Sequence, residues 1–302
     1  VITGYSSVTV VTARVIVPFA STTGMPGGAW TLEASEWSAT NGYPRAICFF
    51  EQRLFFGATT AKPTTLWGSQ SGDYENFHRG ANDGDALVYT IANNLINHIE
   101  WLSSTRALLI GTAGGESRAI GGADSPLTPS NVDLKSESTF GCAGLMPLRI
   151  GNAVLFVQRA QRKLRDLYST ANEDYTTGLT SSDLTLLAEH IAEGGITALD
   201  YEQEPYSLVW CVRADGVLLA MTYVKGEKVV GWGRHILGGS GIVESVATIP
   251  APQGGADQVW LIVRRTIDGA TARYVESMVD GRATDCGVVY SGAAATSISG
   301  LD

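Results

Sequence analysis

Two sets of carboxylates are the first candidates for chemistry. Asp73 lies two positions before Glu75, and Asp200, Glu202 and Glu204 follow one another at alternate positions. Alternate residues of a β-strand point to the same face. Each set thus places acids side by side, as a glycosidase needs for its acid and its base or nucleophile. The spacing enforces neither of the two carboxyl separations that such chemistry uses, and many exposed strands carry the same pattern. A carbohydrate-binding or glycoside-hydrolysing β-propeller using Asp73, Glu75, Asp200 and Glu202 is therefore the alternative functional reading. The densest positive run is Arg159, Arg162, Lys163 and Arg165, closed by Asp166. On a hairpin these residues form a basic rim that could brush a phosphate backbone, or else a solvated outer hairpin balanced by neighbouring acids.

Other signatures fail on spacing. His78, His98, His190 and His235 place no pair on one helix face, and Cys48, Cys142, Cys211 and Cys286 form no CxxC pair; neither a catalytic metal nor a zinc or redox motif is expected. Gly111 to Ser117 is glycine-rich but lacks the Lys-Ser/Thr ending of a phosphate loop, and the stretch opened by Gly231-Trp232-Gly233 has Ile at position 236 where a dinucleotide fingerprint has Gly. No Gly-x-Ser-x-Gly elbow occurs. From the residues alone, no cofactor is expected and the chain is read as not an enzyme.

The elements that would position these groups are strands. With 302 residues, 44% hydrophobic and 17% charged, the chain can bury a large core. Its 35 glycines are spread along the sequence, as tight turns between short strands require. Five units share one pattern, a strand, an apolar central strand and a polar hairpin to an outer strand: Ala46 to Thr59, Ile99 to Gly111, Pro147 to Tyr168, Ile196 to Val224 and Val243 to Met278. Repeats of roughly 40 to 50 residues with this pattern predict an all-β fold of β-propeller-like repeats, about five or six blades. The central strands around Phe49, Leu109, Leu155, Trp210 and Leu261 are its expected core. One short helix is predicted over Leu184 to Ile191, with Ser181-Ser182-Asp183 before it as N-cap and Gly194-Gly195 closing it.

The domain reading is 1–27 as a strand from a preceding or closing β-module, 28–285 as the propeller-like domain, and 286–302 as a linker or the start of a following domain. Val8 to Phe19 is a β-branched stretch, and the opening on Val1, directly in a strand-like stretch with no initiator methionine, suggests a piece of a longer protein. No apolar run approaches the ~20 residues of a membrane helix, and a soluble, cytoplasmically made protein is expected. The net charge of −9 argues against a surface built to bind nucleic acid.

A set of phrases adds a family resemblance. Gly42-Tyr43-Pro44-Arg45-Ala46, Phe49-Phe50-Glu51-Gln52-Arg53-Leu54, Leu66-Trp67-Gly68-Ser69 and Ser71 to Phe77 open it. Leu109 to Thr112, Leu127 to Val132, Gly151 to Arg159, Asp183 to Ile191, Gln203-Glu204-Pro205 and Trp210 to Gly216 follow in order. Over positions 40 to 280, the chain resembles the podovirus tail nozzle, or tubular protein B, family, which is related to packaged-DNA stabilisation proteins. The resemblance implies a non-enzymatic, hexameric virion tail component in which a propeller-like domain joins other β-domains. Its implied partners are other copies of itself, the portal-adaptor, and tail fibre or tail tip proteins, with DNA passing through without specific binding. It supplies no catalytic residues. Acidity suits a conduit, because a lumen that repels phosphates lets a duplex slide.

Overall fold

Each apolar central strand is shared between two layers of core, and this sharing builds the molecule. The computed structural model describes residues 2–7, 10–13, 36–91, 97–122, 125–169 and 178–279. The chain divides into two units, Val1–Glu36 and Trp37–Asp302. The first holds an antiparallel hairpin of β1 (Ile2–Ser7) and β2 (Val10–Ala13).

Among the described residues the second unit holds five consecutive antiparallel sheets, each hydrogen-bonded in chain order. Sheet I is β3 (Ala46–Phe50), β4 (Arg53–Gly57), β5 (Thr65–Gly68) and β6 (Leu87–Thr90). Sheet II is β7 (Ile99–Ser104), β8 (Leu108–Thr112), β9 (Gly115–Ile120) and β10 (Asp133–Ser138). Sheet III is β11 (Leu148–Ile150), β12 (Ala153–Val157), β13 (Leu164–Ser169) and β14 (Leu179–Asp183). Sheet IV is β15 (Ile196–Glu202), β16 (Leu208–Arg213), β17 (Leu218–Val224) and β18 (Val229–His235). Sheet V has three strands, β19 (Ile242–Ile249), β20 (Gln258–Ile267) and β21 (Ala270–Ser277).

The core lies between consecutive sheets. Phe55 and Leu66 meet Ile99, Leu108 and Ile110 between sheets I and II, while Leu109 turns the other way to join Trp101, Val154, Phe156 and Leu167. Leu155 and Val157 then pack with Val209, Cys211, Leu219 and Met221. Trp210 and Val212 complete the series against Val243, Val259, Leu261 and Val263. A strand buried on both faces has no polar alternation, which is why β8 and β12 read as unbroken apolar runs. First strands also lie against first strands: β3 on β7, β11 on β15 and β15 on β19.

Local chemistry sets the joints. The hairpin between β3 and β4 turns on Glu51 and Gln52 with φ of 44° and 59°, the twist that a two-residue loop needs. Glu51 Oε2 also accepts a 2.6 Å bond from the Leu127 amide, pinning sheet I to the loop before β10. Gly216, at φ +85°, could carry no side chain, since a Cβ there would lie 2.2 Å from Ile242 of the next sheet.

Two sequence expectations change. The helix over Leu184 to Ile191 is absent: the amides of Ala188 and Ile191 bond back three residues, to Thr185 and Ala188, in successive turns. Asp183 takes the Thr185 amide at 2.9 Å, as a cap would, but the turns are drawn onto sheet IV, where Trp232 Nε1 bonds the Leu184 carbonyl and Arg213 the Ile191 carbonyl. Phe49 is not core. It lies on the edge strand β3, 59% exposed, because Ala46 and Phe50 take the face toward sheet II; the strand of sheet I buried throughout is β5. The β-branched stretch from Val8 holds β2 at Val10–Ala13. Its remainder at 14–19, the 27/28 and 285/286 boundaries, Cys286 and the 286–302 linker lie outside the described residues.

Candidate functional site

The strand β13 carries charged side chains into the layers on both of its faces. Toward sheet IV it directs Leu164, Asp166 and Tyr168; toward sheet II it directs Arg165 and Leu167. Asp166 is 4% exposed. Its Oδ1 accepts the Ser182 amide at 2.9 Å, and its Oδ2 accepts the Tyr223 hydroxyl at 3.1 Å. Lys225, just beyond β17, brings Nζ to 3.8 Å from Asp166 Oδ2 and 2.9 Å from the centroid of the Tyr168 ring. That nitrogen is buried and has no hydrogen-bond acceptor among the described residues. Burial pulls the Lys225 ammonium down to about 8 against the opposing pull of Asp166. Burial, with the Asp166 charge and hydrogen bond, pushes the Tyr223 hydroxyl up. An amine, a carboxylate and a phenol thus share one small polar group that can take up and release a proton at mildly alkaline pH.

On the opposite face, Arg165 stacks 3.5 Å over the Phe140 ring and donates to Gln158 Oε1 at 3.0 Å. Nearby, Glu116 is fully buried, with Oε2 accepting from the Ser138 hydroxyl and Oε1 unpartnered among the described residues. Its carboxyl is raised by burial, against the Ser138 bond and the Arg165 charge. Arg118 and Glu137 form a buried pair at 2.5 Å in the same sheet.

The basic run is brought together but occupied. Lys163 Nζ reaches Asp183 at 2.7 Å and Glu189 at 3.1 Å, and these bonds raise its pKa. Arg162 lies 3.6 Å from Glu193, and Arg159 is exposed. The two carboxylate sets fall in different sheets. Asp73 and Glu75 sit exposed in the turn after β5. Asp200 accepts the Tyr201 amide at 2.8 Å and the Thr248 amide of sheet V at 2.6 Å. Glu202, 6% exposed, accepts the Trp210 indole at 2.7 Å. Glu204 precedes a cis Pro205, and its amide, like that of Gln203, bonds Asp257.

The sequence reading missed Lys225 as a site residue. A lysine in Val224-Lys225-Gly226 carries no signal, since only the neighbouring sheet buries its amine. Asp166 did carry one: it is the single acid inside the apolar strand Leu164 to Tyr168. Cys142 and Cys211 are free and buried, Cys48 is half-buried, and burial pushes Cys211 up to about 12. Among the described residues no group of His, Cys, Asp and Glu could hold a metal, and no helix is long and apolar enough to cross a membrane. A cavity of about 330 Å³ between sheets I and II is lined by uncharged residues, among them Thr64, Asn97, Ser117 and Ser136.

No family model matches the sequence, and no curated protein does. Two solved structures are similar in shape. One is a candidate 6-phosphogluconolactonase from Bacteroides uniformis, at 9% identity and a TM-score of 0.47 over 78% of this chain and 71% of that one. Another, from Bacteroides fragilis and of the same description, stands at 10% identity and 0.43 over 79% and 71%. The reading of the chain as not an enzyme is corrected by this finding, because the structures it is similar to are described as enzymes. At such identities the likeness carries no activity, substrate or residue role across.

Proposed function

We propose that this chain is a structural subunit of a tailed-phage virion tail, of the nozzle type, with its five sheets serving as blades of a β-propeller. The observation that carries the reading is where the family-like phrases fall. Glu51-Gln52 is the hairpin whose carboxylate holds Leu127, itself the first residue of another phrase. Within that phrase Asn131 bonds back to Thr128, and Tyr89 of sheet I bonds the Pro129 carbonyl at 2.5 Å. Leu184 and Ile191 offer their carbonyls to sheet IV. Gln203 and Glu204 bond Asp257, which stands before β20. Several phrases are thus joints of the sheet series, while Leu66–Ser69, Leu109–Thr112, Gly151–Arg159 and Trp210–Gly216 supply most of its strands β5, β8, β12 and β16. A resemblance made of strands and their joints is a resemblance of architecture. The contacts of first strand upon first strand also suit radial packing of blades.

In this role the chain assembles with its own copies into a hexameric ring below portal and adaptor, meets tail fibre or tail tip proteins, and lets DNA pass. Its place is the virion tail, after synthesis in the host cytoplasm. The −9 net charge and the acid-paired state of Arg162 and Lys163 favour sliding over retention of DNA. Electron micrographs of the full-length protein and of virion tails test the reading. Hexameric rings, with antibody to this chain labelling the tail, are expected; a protein absent from virions overturns it.

A further inference from the structure

Two polar atoms sealed between sheets II and III, one donor and one acceptor, belong to the same row of side chains. Across sheet II the register sets Trp101 opposite Gly111, Gly111 opposite Glu116 and Glu116 opposite Ser138. Paired residues of an antiparallel sheet share a face. Trp101 shows which face this is, because it packs with Val154, Phe156 and Leu167 of sheet III. Its indole Nε1 and Glu116 Oε1 are both buried without a hydrogen-bond partner among the described residues, and the two residues are 1% and 0% exposed.

Gly111, the residue between them in the row, brings them near. A Cβ there would lie 2.1 Å from Cε2 of Trp101, the carbon bonded to Nε1, and 2.6 Å from Cys142 Sγ. The indole therefore lies across the glycine, with Cys142 above it. Cys142 Sγ interacts with the indole, but a thiol is a weak acceptor and the contact lacks hydrogen-bond geometry; its own proton goes to the Thr112 carbonyl at 3.1 Å. The other groups around the carboxyl are engaged elsewhere. The Ser138 hydroxyl donates to Glu116 Oε2, Arg165 stacks on Phe140 and donates to Gln158, and Arg118 pairs with Glu137.

A buried donor and a buried acceptor left unmet each carry the full cost of leaving water. One partner for both must accept from an indole N–H and also bond a carboxyl oxygen. A metal cation or an ammonium has no lone pair to offer the indole, and an anion would sit against the carboxylate. Water meets both needs. We propose that a single internal water bridges Trp101 Nε1 and Glu116 Oε1 and is a fixed part of the joint between sheets II and III. Burial raises the Glu116 carboxyl toward its neutral form, and the same water suits either form, donating to an ionised Oε1 or accepting from a protonated one. The site is independent of the tail reading above.

A crystal structure of the full chain, at a resolution that shows ordered solvent, is expected to place one water within hydrogen-bond distance of both atoms. In solution, the Trp101 indole proton of the isotopically labelled chain should show a nuclear Overhauser contact to a long-lived water. Trp101→Phe assigns the indole signal by removing it. Glu116→Gln, which keeps an oxygen at the site, should retain the water contact, whereas Glu116→Leu should keep the indole signal and lose that contact. An indole bonded directly to Glu116 or Cys142, no water at the two atoms, or a water contact that survives Glu116→Leu overturns the proposal. Should Glu116→Leu fail to fold, the crystal structure of the unaltered chain decides.

Discussion

A lysine ordinarily buries its methylenes and keeps its ammonium in water. Lys225 does the reverse, with a side chain 29% exposed and a buried Nζ. Its folded pKa is lowered from 10.5 to about 8, so between those values the unfolded chain holds a proton that the folded chain has released. Stability from this group therefore rises across pH 8 to 10, and its cost is fully present below 8. Lys225→Met is expected to stabilise the fold by about 1 to 2 kcal/mol at pH 7, with the gain shrinking toward pH 10. Urea denaturation of both proteins at the two pH values checks it, and a gain that grows with pH contradicts the account. Residue types were legible in the sequence here, but partners were not. The positive run from Arg159 to Arg165 could be seen, whereas Glu189 and Glu193, which neutralise part of it, arrive through turns that the helical spacing of Leu184 to Ile191 disguised.

At the scale of the element, apolar runs placed the strands well because a strand shared between two layers must be apolar throughout. Leu155 and Leu261, both expected as core, are 0% and 4% exposed, and alanine at either should cost about 2 to 5 kcal/mol. Phe49→Ala, on the edge strand β3, should shift stability by no more than about 0.5 kcal/mol. If Phe49→Ala costs as much as Leu155→Ala, the assignment of β3 as an exposed edge is wrong. Phe49 and Phe50 look alike in sequence, and only pairing with β4 decides which one faces sheet II. The Glu51-Gln52 turn was legible from its length, yet its hold on the Leu127 amide was not, since the two residues lie far apart in the chain. Glu51→Ala should cost about 1 to 2 kcal/mol, read from the same denaturation curves.

For the whole molecule, the repeat period pointed to about five or six blades before any contact was known, and the described residues hold five sheets, but it could not show that sheet V has three described strands. The head-to-tail contact of a ring is weak as a single pair and gains from closure. The 302-residue chain, isolated, should therefore be a monomer or weak oligomer, helped by repulsion at a net charge of −9. Light scattering at micromolar concentration checks this, and a stable hexamer would contradict it. Placing each core layer between neighbours also sets a timetable for synthesis. Once sheet I has emerged from the ribosome, its inward layer waits only until Ser138 ends sheet II, and every later sheet finds a finished surface ready to receive it. The chain can settle in step with translation, holding one unfinished layer at a time, so a stalled ribosome would expose a single apolar face rather than an entire unformed core.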